Sequence, residues 1–302
     1  MSYIKWHPSF HLIIRNMSKD IHLALIQHAY ESDRDQTVQK VSKHIRSAAA
    51  DGAQIICLQE LFSTHYFCSS IEQSNFSLAE PIPGPTTDIM SRLASELSVV
   101  LLVPIFEKES VGLYYNSMAV IDADGALLGK YRKMHIPEDP GFHEKFYFTP
   151  GDLGYKVFKT AFCNIGTLIC WDQWFPEAAR LTALKGADLI VYPTAIGTLH
   201  EERDADKKEF KDAWKTIQRS HAIANGCYVA SVNRVGTEEA ASFWGGSFVA
   251  GPFGKLLAEG GEEEDVIHAR LDLSLLEPQR QTWPFFRDRR VDSYGSIQKR
   301  SD

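Results

Sequence analysis

Short apolar runs alternate with helical stripes along most of this chain. Residues 21–27 (IHLALIQ) form one such run and predict a buried strand. Val38, Val41, Ile45 and Ala48 then recur three or four residues apart, one face of a helix, with Gly52 placed to close it. Residues 55–58 give a second strand that runs straight into Gln59-Glu60. Ile89, Leu93 and Leu97 mark a second helix, and residues 99–105 (VVLLVPI) a third strand. Residues 117–121 and 126–130 flank Asp122-Ala-Asp-Gly125, a hairpin signal.

The second half repeats the rhythm. It predicts strands over 165–170, 189–192 and 228–232, and helices over 176–185 and 210–225. Gly186 closes the first of these helices, and Trp214, Ile217, His221 and Ala224 share one face of the second. A hairpin over 247–250 and 255–258 turns at Gly251-Pro-Phe-Gly254. Two βαβ-containing halves imply an α/β fold with sheets covered by helices and an internal pseudo-symmetry. No linker rich in Gly, Pro or Ser divides them, so residues 17–302 read as a single domain. Residues 1–16, ahead of a second methionine at 17, read as an N-terminal extension outside the fold.

Composition narrows the class. The chain has 302 residues, 44% hydrophobic, enough for a sizeable core. Its net charge of −7 and lack of a long basic run give no reason to expect nucleic acid or an anionic membrane as partner. The longest apolar runs, about seven residues, are too short to span a bilayer. The first residues lack the apolar core and cleavage site of a signal peptide. Five cysteines (57, 68, 163, 170 and 227), odd in number and without CxxC pairs, argue for a reducing, cytoplasmic setting and against a disulfide framework or a zinc knuckle.

Four residues carry candidate chemistry. Glu60 ends a buried strand, where ligand sites of α/β folds gather, though a turn acid would read the same way. Lys133 lies in GKYRKMHIP, with Lys130 and Arg132, a cluster that alone reads as a solvated edge. Glu144 sits among Phe142, Phe146, Tyr147 and Phe148, an environment that raises a carboxyl pKa or demands a charge partner. Cys170 alone reads as a small core residue. Its context, a strand turning through Trp-Asp-Gln-Trp-Phe into a Pro-led helix, instead favours a thiol projecting from the strand end, with backbone N–H groups beside it for an oxyanion. A nearby ammonium favours the thiolate, and a carboxylate can take and return its proton.

Glu60 in LQELF, Lys133 in YRKMHIP and Cys170 in LICWDQWFPEAAR resemble, in order, the three motifs of the nitrilase superfamily of carbon–nitrogen hydrolases. The resemblance covers about residues 21–297. DPGFHEKFYFTPGDLGYKVFKT, ICWDQWFPEAARLTALKGADLIVYPTAIG and WPFFRDRRVDSYG bring it nearest to members that act on N-carbamoylputrescine. It implies a four-layer αββα sandwich, a homo-oligomer, and no metal or organic cofactor. It also implies Glu60 as general base, Lys133 as stabiliser of the tetrahedral intermediate, Cys170 as nucleophile and Glu144 in support, with the backbone at Trp171 on the oxyanion. The implied reaction releases ammonia, carbon dioxide and putrescine through a thiol-bound intermediate. A small carbamoyl amine substrate needs acids or aromatic faces at its far end. Glu138, Asp139, Glu201, Glu202 and Asp204 are candidates, with Tyr66, Trp171 and Trp174 as walls and Asn116 and Ala195 near the site. His135 and His143 read as loop hydrogen-bonders. Other substrates of the superfamily, an N-carbamoyl amino acid, an ω-amide or a nitrile, remain open alternatives, as does a non-catalytic binding module.

Overall fold

A computed structural model describes residues 20–301 apart from 201, 203, 239 and 240. The extension proposed for residues 1–16 and the candidate Glu201 lie outside the described residues, as does the side chain of Asp204.

The first half supplies β1 (Asp20–Gln27), α1 (Arg34–Ala50), β2 (Ile55–Leu58), α2 (Pro85–Leu97), β3 (Val100–Ser110), β4 (Leu113–Ile121) and β5 (Leu127–Arg132). The second half supplies α3 (Glu144–Tyr147), β6 (Lys156–Lys159), β7 (Asn164–Thr167), α4 (Pro176–Leu184), β8 (Leu189–Thr194), β9 (Gly197–Leu199), α5 (Asp204–Asn225) and β10 (Tyr228–Asn233). After it come β11 (Val235–Glu238), β12 (Ala241–Trp244), β13 (Phe248–Ala250), β14 (Leu256–Glu259), β15 (Asp265–Asp272) and α6 (Leu276–Thr282).

Two six-stranded sheets result, ordered β15-β1-β2-β3-β4-β5 and β14-β13-β10-β8-β7-β6. Strands β1, β2 and β3 run parallel, as do β7, β8 and β10. One face of each sheet packs against the other: Leu23, Leu25, Cys57, Leu102 and Val120 share a core with Ile165, Leu189, Val191, Ala230 and Val249. On the outer face of the first sheet, Val38, Val41 and Ile45 of α1 and Met90 and Leu93 of α2 meet Ala24, Ile26, Ile56 and Val103. Ala178 and Ala183 of α4 and Trp214 of α5 cover the second sheet. Helix, sheet, sheet, helix is the order of layers, and the αββα sandwich is present. Strands so covered on both faces need near-continuous apolar sequence, which is why they stood out. Asp33 caps α1 by accepting the Gln36 N–H at 2.8 Å.

Three departures from the pattern reading have physical reasons. The strand expected over 165–170 pairs only to Thr167; Leu168 and Ile169 are apolar because they are fully buried in the core. Helix α5 begins at Asp204 rather than 210, ahead of its apolar stripe. β15, unseen in the periodicity, lies antiparallel to β1 and closes the first sheet. A small sheet, β11-β12-β9, lies outside the sandwich.

Candidate active site

The site gathers at the carboxyl ends of parallel strands of both sheets, where backbone groups are not consumed by the ladder. Glu60 lies two residues beyond β2, Cys170 three beyond β7 and Ala195 one beyond β8. Lys133 follows β5, and Glu144 opens α3.

Lys133 is the hub. Its ammonium, fully buried, donates to Glu60 Oε1 at 2.8 Å and to Glu144 Oε2 at 2.6 Å. Both carboxylates are buried too. Glu60 Oε1 also accepts Asn116 Nδ2 at 2.7 Å, and its Oε2 accepts the Ala195 N–H at 2.8 Å. Tyr66 donates its hydroxyl to Glu144 Oε1 at 3.1 Å. Tyr66, Asn116 and Ala195 are thus hydrogen-bonded to the two carboxylates that share Lys133. The charge partner that the aromatic surroundings of Glu144 called for is Lys133.

Charge and burial set the protonation states. Burial opposes the ammonium of Lys133, but Glu144 and Glu60 outweigh it and hold its pKa well above the ordinary lysine range. Burial lifts Glu144 to about 7 against the pull of Lys133, so this carboxyl can take up or release a proton near neutrality. Burial and the charge of Glu60 push the Cys170 thiol well above its usual range; Lys133 and the Ala195 N–H pull the other way. The resting thiol is therefore protonated, and making it a nucleophile requires a base at hand.

Cys170 has φ +40°, in the left-handed region that a residue with a Cβ rarely adopts. It opens a short 3-10 turn, Cys170–Trp174, rather than ending a strand. The strained backbone turns the chain out of the strand direction, a geometry like that of the nucleophile turns of hydrolases. Leu61, next to Glu60, is left-handed as well, with φ +49°. The buried Arg234, just past β10, donates to the Leu61 and Thr64 carbonyls at 3.0 and 2.9 Å and pairs with Glu238 at 2.5 Å. Glu238 in turn accepts the Tyr66 N–H at 2.6 Å. Arg234, Glu238 and the fully buried Asp172 escaped sequence reasoning; an arginine after an apolar strand was the one available signal.

The other described candidate side chains do not bond to this cluster. Glu138 is partly exposed and pairs with His143 Nδ1 at 2.9 Å. Glu202 accepts the Leu199 N–H at 2.9 Å. Asp139 is exposed. Trp171 and Trp174 meet edge to face, ring centres 6.4 Å apart. His135 bonds Asp172. Lys130 and Arg132 do not form a solvated edge: they are tied to Glu107 and Glu109, and Arg132 also to Asp152.

Lys133 is gripped through its backbone. Its N–H donates to the Asn116 carbonyl at 2.9 Å, and its own carbonyl accepts the Gly151 N–H at 2.8 Å. A Cβ on Gly151 would stand 2.1 Å from the Arg132 carbonyl oxygen and 3.0 Å from that of Lys133. Gly151→Ala must therefore displace the strand end that carries the lysine. We expect it to lower unfolding stability by about 1–3 kcal/mol in chemical denaturation and to depress ammonia release as well. An unchanged midpoint would refute this contact.

Comparison with known proteins gives the family. The carbon-nitrogen hydrolase family model matches residues 22–281. The chain is 44% identical to N-carbamoylputrescine amidase of Arabidopsis thaliana over 91% of this chain and 94% of that protein. It is 40% identical to citrullinase of Francisella tularensis, over 92% and 98%. The crystal structure of a carbon-nitrogen hydrolase from Helicobacter pylori G27 superposes with TM-score 0.92 at 44% identity, covering 94% of this chain and all of that one. With two facing sheets, their strand ends converging on a buried lysine, two carboxylates and a cysteine, and with the family model spanning most of its length, the chain belongs to the carbon-nitrogen hydrolases.

Proposed function

We propose that Glu60, Lys133 and Cys170, supported by Glu144, hydrolyse the carbamoyl C–N bond of N-carbamoylputrescine. The observation that carries this reading is the buried ammonium of Lys133 shared by Glu60 and Glu144, beside a thiol on a strained turn. Glu60 takes the proton of the Cys170 thiol as Sγ attacks the carbamoyl carbon. Lys133 and a backbone N–H at Trp171 stabilise the oxyanion. Glu60 returns the proton to departing ammonia, leaving a thiocarbamate on Sγ. It then deprotonates water, which attacks the same carbon and frees the thiol. The carbamic acid decays to carbon dioxide and putrescine. The thiol supplies the covalent step, and no cofactor enters.

The 43–45% identity to N-carbamoylputrescine amidases of four plants supports the substrate. The diamine's far ammonium needs acids or aromatic faces, for which Glu138 and Glu202, with Tyr66, Trp171 and Trp174, are the candidates. Arg234, the buried arginine beside the cluster, is neutralised by Glu238, so it offers a substrate carboxylate no free counter-ion. Five free, buried cysteines support a reducing, cytoplasmic setting and a place in polyamine synthesis. The 17–302 stretch acts as one domain. Exposed Leu181, Leu184, Val291 and Ile297 support self-association into a homo-oligomer. Among the described residues no helix is long and apolar enough to cross a membrane.

Ammonia release from N-carbamoylputrescine, citrulline, N-carbamoyl-β-alanine and a simple nitrile tests the assignment. We expect kcat/KM for N-carbamoylputrescine to exceed the others by about 10-fold or more. Equal or better turnover of citrulline would transfer the assignment to that substrate.

A further inference from the structure

Asp172 stands two residues beyond Cys170 and is fully buried. Its carboxylate accepts from two separate segments, the end of β5 with the residues after it and the residue before Cys170. Oδ2 takes the Ile169 N–H at 3.0 Å and the Tyr131 hydroxyl at 2.7 Å. Oδ1 takes the His135 N–H at 3.0 Å and lies 2.7 Å from His135 Nδ1. These partners bracket the two reacting side chains. Tyr131 and His135 are two residues either side of Lys133, and Ile169 directly precedes Cys170.

The Asp172 N–H donates back to the Ile169 carbonyl at 3.0 Å, so the left-handed Cys170 is spanned by a reciprocal pair of bonds. Phe175, at the end of the same turn, stacks on the His135 ring at 3.7 Å and 5°. Burial and the Asp172 charge hold the Tyr131 hydroxyl well above its usual range, so it stays a donor. A buried carboxylate is costly unless every lone pair is used. Here the bonds that satisfy it join the lysine strand end to the cysteine turn.

We infer that Asp172 is a positioning residue that sets Cys170 against Lys133, holding turn and strand end as one body so that nucleophile and ammonium keep their separation. This rests on reading Cys170 and Lys133 as the reacting pair. A misplacement of about 1 Å between reacting groups costs on the order of 100-fold in rate.

The test exploits the geometry. Each Asp172 oxygen faces a backbone N–H, which cannot turn round. In Asp172→Asn the new amide nitrogen must oppose one of them, so one link breaks at nearly constant volume. Purified wild type, Asp172→Asn and Tyr131→Phe are compared in turnover and in alkylation of Cys170 by iodoacetamide, followed by peptide mass across neutral to alkaline pH. Cys170→Ala serves as the unlabelled control.

For Asp172→Asn we expect kcat to fall about 30-fold or more, KM to stay within about threefold, and Cys170 alkylation to slow with an altered pH profile. Tyr131→Phe, which removes one hydroxyl, should lower kcat by about 3–10-fold in a folded protein. A folded Asp172→Asn with wild-type kcat overturns the inference, as does lost turnover with alkylation untouched. If Asp172→Asn does not fold, Tyr131→Phe decides, and wild-type kcat and alkylation in it overturn the inference. Slowed alkylation in a protein that does not turn over N-carbamoylputrescine would sustain the positioning role while rejecting the substrate.

Discussion

Lys133→Ala should abolish turnover and destabilise the fold by about 3–5 kcal/mol, the cost of leaving buried charge without its partner. The lysine is the cation between Glu60 and Glu144, and all three side chains are buried. Glu60 keeps Asn116 and the Ala195 N–H, and Glu144 keeps the Tyr66 hydroxyl, so hydrogen bonding is only partly lost. What disappears is the opposite charge. Glu144 then relieves the repulsion by holding its proton more tightly in the folded than in the unfolded state. A folded-state pKa raised in this way gives stability that is present in acid and lost as pH rises. Glu144 already stands near 7 with the lysine in place, up from 4.5. The deficit of Lys133→Ala relative to wild type should therefore be smallest below about pH 4.5 and grow towards and past neutrality. Urea denaturation at several pH values reads this out. A deficit that is flat with pH, or absent, would mean that the lysine does not hold the carboxylates' charge.

Part of this arrangement was legible because Glu60 and Cys170 each sit where an apolar run ends. Glu60 follows IICLQ and Lys133 follows a short strand, and the sequence order of acid, lysine and thiol is the order of the motifs. The layers were legible because strands covered on both faces must be apolar throughout. Periodicity could not report partners distant along the chain. β15 reads DVIHARLD, half exposed and weakly alternating; its pairing with β1 makes it a strand. Asp172 looks like a solvated turn acid, and its burial depends on Tyr131 and His135, 41 and 37 residues away. Nor could apolarity separate pairing from packing at Leu168 and Ile169, which is why the turn at Cys170 begins earlier than the pattern suggests. The outer acids Glu138 and Glu202 were named from charge alone, and the structure leaves them on loops with local partners.

The thiol allows a test that separates chemistry from fold. Cys170→Ala should lower kcat by about 10⁴-fold or more, since no other group supplies the nucleophile and members of such a set act as a unit. It should do so with native structure retained, because Ala keeps the Cβ and the residue's burial is small in volume. Cys170→Gly should be equally inactive but more stable than Cys170→Ala. At φ +40° any Cβ meets steric opposition of about 1–2 kcal/mol, and glycine meets none. In an ordinary strand or helix interior the same exchange of Ala for Gly destabilises by about 0.5–1 kcal/mol. The sign of the Ala-to-Gly difference therefore reports the backbone state of residue 170 directly. Paired thermal and urea melts of the two variants, with ammonia release measured alongside, supply it. Glycine less stable than alanine would remove the strained turn; measurable turnover in either variant above about 1% of wild type would remove the thiol from the mechanism. If both results hold, the left-handed turn is a cost borne in the folded state that aims the thiol, and the fold is stable despite its nucleophile rather than because of it.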